Sequence, residues 1–126
     1  MQDFKKLIVW QKAHLLTLGV YSASKSFPSN ESFGLTSQLR RASFSVAANI
    51  SEGSGRRSKN EFAHFLAIAI GSLSEVEYYL ILATDLKYLS EADSIRLTSL
   101  AKETKRMLIS FLQKVEDSSH DLKLKT

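Results

Sequence analysis

The chain reads as an all-α domain, an antiparallel up-down-up-down four-helix bundle, on three observations. Apolar residues recur at three- and four-residue steps through four long stretches. Pro28 is the one proline, and with 5 glycines in the chain little interrupts those stretches. The 126 residues are 44% hydrophobic and 24% charged, which suits one globular unit with a real core. An all-β fold would need far more turn residues.

The first helix is expected over about 7–26, with Ile8, Ala13, Leu15, Leu16, Leu18 and Tyr21 among its apolar positions. Pro28 ends it, and Ser29 and Asn30 offer N-caps for the second helix, about 31–52. There Leu35, Leu39, Ala42, Val46 and Ile50 fall on one face. Ser43, Ser45, Ala47, Ala48 and Ser51 are small and let neighbouring helices come close. Gly53-Ser54-Gly55 should stop this helix through a glycine in the left-handed conformation.

Ser58-Lys59-Asn60-Glu61 reads as a capping box opening the third helix, about 59–87. Its seam is Phe62, Phe65, Leu66, Ala69, Leu73, Val76, Leu80 and Ala83, the three-four alternation of bundle packing. Ser90 caps the fourth helix, about 91–116, which carries Leu97, Leu100, Thr104, Leu108, Phe111 and Val115. From Asp117 the chain turns polar, so a single domain over 1–116 is expected to end in a frayed tail, 117–126.

Composition narrows the function classes. Without cysteine there is no disulfide and no thiolate metal site, which fits a reducing cytoplasm. The N-terminal segment lacks the apolar run of a secretory signal. The unbroken apolar run Leu66 to Ile70 is too short to cross a bilayer, so a soluble, cytoplasmic protein without membrane contact is expected. Nothing singles out a catalytic serine, and Glu75 and Glu77 point in different directions on a helix. Glu61 and His64 form the E-x-x-H unit of di-iron bundles, but no second unit accompanies them. A non-enzyme with no metal and no cofactor is therefore expected.

Charge points to an anion. The formal net charge is +4, and Arg56, Arg57 and Lys59 cluster where a helix begins. Free N–H groups, the positive end of the helix dipole and three cations converge there. Arg40 and Arg41 lie mid-helix; one is expected to pair with Glu75 or Glu77 and the other to face solvent. Both join the three as candidate nucleic-acid contacts. On the third helix Ile68, Tyr79 and Leu82 share an outer face, flanked by Tyr78 and Ile81, and form a candidate subunit interface.

The motifs carry a family resemblance. Val9-Trp10-Gln11-Lys12-Ala13, Phe27-Pro28, FGLTSQLRRASFSVAANISEGSGRRS from Phe33 to Ser58, Glu61-Phe62, and FLAIAIGSLSEVEYYL from Phe65 to Leu80 resemble the bacterial 23S rRNA-intervening-sequence proteins. The likeness runs to about Val115. It implies a bundle that assembles as a cyclic homopentamer with a basic surface. Similar bundles serve diversity-generating retroelements, binding nucleic acid and a reverse transcriptase. The family's motif positions correspond here to Arg40, Arg41, Asn49, Glu52, Gly53, Gly55, Arg56, Ser58, Glu61 and Phe62. Ala47 stands where relatives often carry proline, which should straighten the second helix. Lys87 stands where glycine is common, which should leave the third helix less sharply capped.

The resulting expectation is an oligomeric binding module that contacts RNA or DNA through basic residues. The alternative is a protein-interaction scaffold whose basic excess is incidental.

Overall fold

The computed structural model describes the backbone from Asp3 to Lys125 and the side chains from Asp3 to Ser118. Among the described residues there are four α-helices and no strand: α1 (Ile8–Ser24), α2 (Leu35–Ser54), α3 (Lys59–Asp85) and α4 (Glu91–Lys125). Single 3-10 turns at Phe4–Lys6 and Ser29–Glu31 precede α1 and α2. The short connections fold each helix back on the one before it. α1 packs against α2 and α4, as does α3, so α1 and α3 lie across the diagonal of a four-helix bundle.

The core follows the expected seams. Leu35, Leu39, Ala42, Val46 and Ile50 of α2 are all buried, against Leu66, Leu73, Val76 and Leu80 of α3 and Leu97 and Leu108 of α4. Phe62, Leu100 and Phe111 sit half-buried at its edge. The one polar side chain fully inside α4, Thr104, donates to the Leu100 carbonyl at 2.7 Å, so its burial leaves no orphaned hydroxyl. Small polar residues bridge the tight contacts: Thr17 Oγ1 reaches the Ser43 carbonyl at 3.1 Å, and Ser45 and Ser72 share a hydrogen bond of 2.9 Å. α2 runs unbroken past Ala47.

Several boundaries differ from the sequence reading. α2 begins at Leu35 because Gly34 breaks the regular backbone there (φ −109°, ψ −115°). The Glu31 carboxylate then accepts from the Leu35 N–H at 3.3 Å, closing the helix start. α4 runs to Lys125 instead of ending near 116, so residues 117–125 are helical where fraying was expected. No glycine or proline lies between Glu91 and Lys125, and most of these residues are good helix formers. Thr126 lies outside the described residues.

The exit of α3 is capped more tightly than expected. Lys87 takes the left-handed conformation at φ 66°. The Tyr88 N–H then reaches the Ala83 carbonyl at 2.9 Å, and the Lys87 N–H reaches Thr84 at 3.0 Å. This is the double hydrogen bond of a Schellman cap, made without glycine. Tyr88 also ties the two loops at this end together. Its hydroxyl donates to Glu31 Oε2 at 3.0 Å, and its ring packs on Phe27 at 5.6 Å. The hydrogen bond to Glu31, with burial and the carboxylate charge adding to it, raises the phenol pKa above 10.0.

Candidate nucleic-acid interface

The α2–α3 turn forms at the opposite end of the bundle from Tyr88. Its shape comes from glycine, though not in the expected way. Gly55 closes α2 in the right-handed region (φ −89°, ψ −3°), and among the described residues no glycine has positive φ. Gly53 is instead a packing residue, buried against α3. A Cβ there would lie 2.8 Å from Phe65 Cβ and 2.9 Å from Phe62 Cδ1. Close approach is what brings the end of α2 onto the start of α3.

Ser58 then caps α3. Its backbone is extended (φ −114°, ψ 153°), and its Oγ accepts from the Glu61 N–H at 3.1 Å. Around this start lies an open cleft of about 270 Å³, lined by Ser54, Arg56, Arg57, Ser58 and Lys59. Phe62, Phe111 and Val115 complete its lining. The two phenylalanine rings meet edge to face at 5.6 Å, so each stabilises the wall formed by the other's helix.

Two of the three cations have partners inside the chain. Arg56 pairs with Glu52 one turn back, and its guanidinium lies 4.7 Å above the Phe65 ring. Lys59 Nζ donates to Ser118 Oγ of α4 at 2.7 Å. Arg57 is exposed in the cleft lining. Glu52 and the exposed Glu61 offset part of the positive field. What remains is a solvated, partly neutralised basic site.

Arg40 and Arg41 lie elsewhere, about 20 Å up α2 at 1.5 Å per residue. Arg40 anchors the end of α1: its Nε donates to Ser24 Oγ at 2.8 Å, its Nη2 to the Tyr21 carbonyl at 3.4 Å, and its guanidinium covers the Tyr21 ring at 4.7 Å. Arg41 lines a polar cleft with Gln38, Ser45, Ser72 and Glu75. Glu77, the other expected partner, bridges to Lys105 at 3.0 Å. The structure thus brings together Arg56, Arg57 and Lys59, and places the earlier pair apart from them.

The outer stripe of α3 divides. Ile68 and Tyr78 are exposed, Tyr78 at 58%, and Ile81 stands out beside them. Tyr79 and Leu82 turn inward and pack half-buried against the core. α3 is apolar enough over an 18-residue window (mean hydropathy 1.5) to match a membrane-crossing helix by length and composition, with 33% of that window buried. The unbroken-run criterion missed this, because isolated serines and glutamates divide the apolar positions. Sequence reasoning also missed an outward face on α1. Ile8, Leu15 and Leu18 are 62%, 53% and 53% exposed, while Val9, Ala13, Leu16, Val20 and Ala23 make the buried seam. The signal was present in the excess: α1 carries more large apolar residues than one face can hold.

Among the described residues no group of three or more His, Cys, Asp or Glu side chains is placed to hold a metal ion. Glu61 and His64 are exposed side by side on α3, with His64 against the Phe65 ring at 5.5 Å.

Comparison with known proteins agrees with this architecture. A solved structure from Bacteroides thetaiotaomicron, a protein of unknown function from the S23 ribosomal protein family, superposes with a TM-score of 0.77. Its sequence is 24% identical, and the match covers 83% of this chain and 98% of that one; at such identity the likeness speaks for the fold alone. No curated protein matches the chain. The profile of the 23S rRNA-intervening sequence proteins matches residues 5–110, a span that includes the α2–α3 turn and its three cations. The chain belongs to the 23S rRNA-intervening sequence protein family.

Proposed function

We propose that this protein is a non-enzymatic binding module, working as an oligomer, whose α2–α3 turn contacts the phosphate backbone of RNA or DNA. One observation carries the reading: Arg56, Arg57 and Lys59 converge on the first turn of α3 at the mouth of an open cleft. The first amides of a helix lack intrahelical partners and lie at the positive end of its dipole, so a phosphate there gains hydrogen bonds and charge together. The pairing of Arg56 with Glu52 and the bond from Lys59 to Ser118 are solvent-exposed, and phosphate oxygens can replace both.

Such contacts respond to charge and shape and carry little base readout. The aromatic rings at the cleft face each other and the core, which favours duplex or structured backbone over stacked single strands. A protein-interaction scaffold is the second reading, favoured by the exposed apolar residues of α1 and α3.

The deciding experiment titrates the protein, its assembly mass checked by light scattering, against labelled structured RNA and duplex DNA at two salt concentrations. Binding should weaken steeply with salt, and the salt dependence should flatten in the variant R56A/R57A/K59A. No binding at low salt by an intact oligomer would discard this reading and leave the scaffold.

A further inference from the structure

We propose that the polar cleft between α2 and α3 binds a free α-amino acid with a small side chain, Arg41 taking its carboxylate and Glu75 its ammonium group. The inference goes beyond the nucleic-acid reading. The cleft lies about 20 Å along α2 from the basic turn, and its test involves no nucleic acid.

Helix spacing builds the site. Gln38, Arg41, Ala42 and Ser45 fall on one face of α2, and Ser72 and Glu75, three apart on α3, complete the lining. Ala42, Ser45 and Ser72 are small, and the space that larger side chains would fill is an open hollow of about 290 Å³. That is just under the range of about 300–1,000 Å³ usual for drug-sized ligands, so the occupant is a small molecule. Ala42 is the one apolar residue in the lining. Recognition there must come from charge and hydrogen bonds.

The serines leave a donor to spare. Ser72 is 8% exposed, and its Oγ lies 2.9 Å from Ser45 Oγ. Asn49 Nδ2 donates to Ser45 Oγ at 3.0 Å and to the Ser45 carbonyl at 2.8 Å. The bond to the carbonyl fixes which end of the Asn49 amide meets the serine. The serine pair therefore holds two hydroxyl hydrogens and uses one between them. Whichever serine donates, the other hydrogen has no acceptor among the described residues. A donor left unmade in a part-buried place costs free energy, and a ligand oxygen in the hollow would supply its acceptor.

The two charges are also uncommitted. Arg41 and Glu75 are exposed in the lining of one cleft. Among the described residues no ion pair or hydrogen bond ties either side chain to the other or to a third. Their neighbours differ: Arg40 is held by Ser24, and Glu77 by Lys105. A simple anion in the hollow would be opposed by Glu75, and a simple cation by Arg41. A molecule carrying both charges satisfies both. In an α-amino acid the carboxylate and the ammonium group share one carbon, so both fit a space this small. Its carboxylate can accept from the guanidinium and the spare serine hydroxyl together.

The test is saturation-transfer NMR on the full chain, following the methyl protons of L-alanine up to about 10 mM, tenfold above a 1 mM dissociation constant. L-alanine should receive saturation from the protein, and acetate and methylammonium, each with one of the two charges, should receive far less. R41Q and E75Q change exposed positions, and circular dichroism reports that each stays helical. Each should weaken L-alanine binding roughly tenfold or more, the worth of one charge-assisted hydrogen bond. R56A/R57A/K59A should bind L-alanine as the wild type does. No transfer to L-alanine would overturn the proposal, as would acetate or methylammonium binding equally well. Unchanged binding by R41Q and E75Q, or its loss in R56A/R57A/K59A, would overturn it too, because the ligand would then sit elsewhere.

Discussion

Lys87 shows how far one backbone conformation can be read from residue types. The family resemblance suggested glycine at this position, and hence a looser end to α3 with lysine there. The cap hydrogen bonds are nevertheless complete, with Lys87 held at φ 66°. A side chain in the left-handed region costs about 1–2 kcal/mol, which the Tyr88 bonds and ring packing must offset. Substituting Lys87→Gly should remove that strain and raise the unfolding free energy by about 1 kcal/mol, after glycine's greater freedom in the unfolded chain is counted. Urea unfolding of the two proteins measures it. Residue type marked this position, and only the contacts around it revealed that a cap forms there regardless. Gly53 is the reverse case: its type suggested a helix stop, and its surroundings make it a close-packing residue.

Among the helices, legibility followed the contrast between faces. α2 alternates apolar and small polar residues cleanly, and its seam was readable residue by residue. α1 and α3 are apolar on most sides, so periodicity could not say which leucines or tyrosines face the core. That is why Leu15 and Leu18 emerged at the surface, and why Tyr79 and Leu82 of the expected stripe turned inward. The end of α4 was misplaced for another reason: polarity argues against burial, not against helix, and no breaker stands in its path. The two glycines facing α3 and solvent give opposed predictions. Gly53→Ala should cost about 1–3 kcal/mol, because the methyl would meet the Phe65 Cβ, which cannot move without its backbone. Gly71→Ala meets nothing and should stabilise the isolated chain by up to about 1 kcal/mol. Thermal unfolding of both variants at one low concentration checks the pair.

At the scale of the whole molecule, the sequence disclosed the bundle and the basic turn but not how the cations are held. Arg56, Arg57 and Lys59 are close in sequence, so their meeting at the cleft was readable. The role of Ser118 in holding Lys59 was not, because it comes from α4, 59 residues further on. Arg40 looked equivalent to the others by type and is committed to Ser24 and Tyr21. If the exposed faces of α1 and α3 are covered by neighbouring copies, folding and association are linked, and the unfolding temperature should rise with protein concentration. Calorimetry across a hundredfold dilution series would detect it; a midpoint independent of concentration would mean that the faces stay open.

Phe33 lies at the far end of the bundle from the cleft, 98% exposed on the approach to α2. Copies related by a single rotation axis all point the same way, so a ring of them would be a disc with two unlike sides. With the bundle axes along that rotation axis, one rim would carry the arginines and lysines of every copy. The other would carry a circle of exposed phenylalanines, one from each copy.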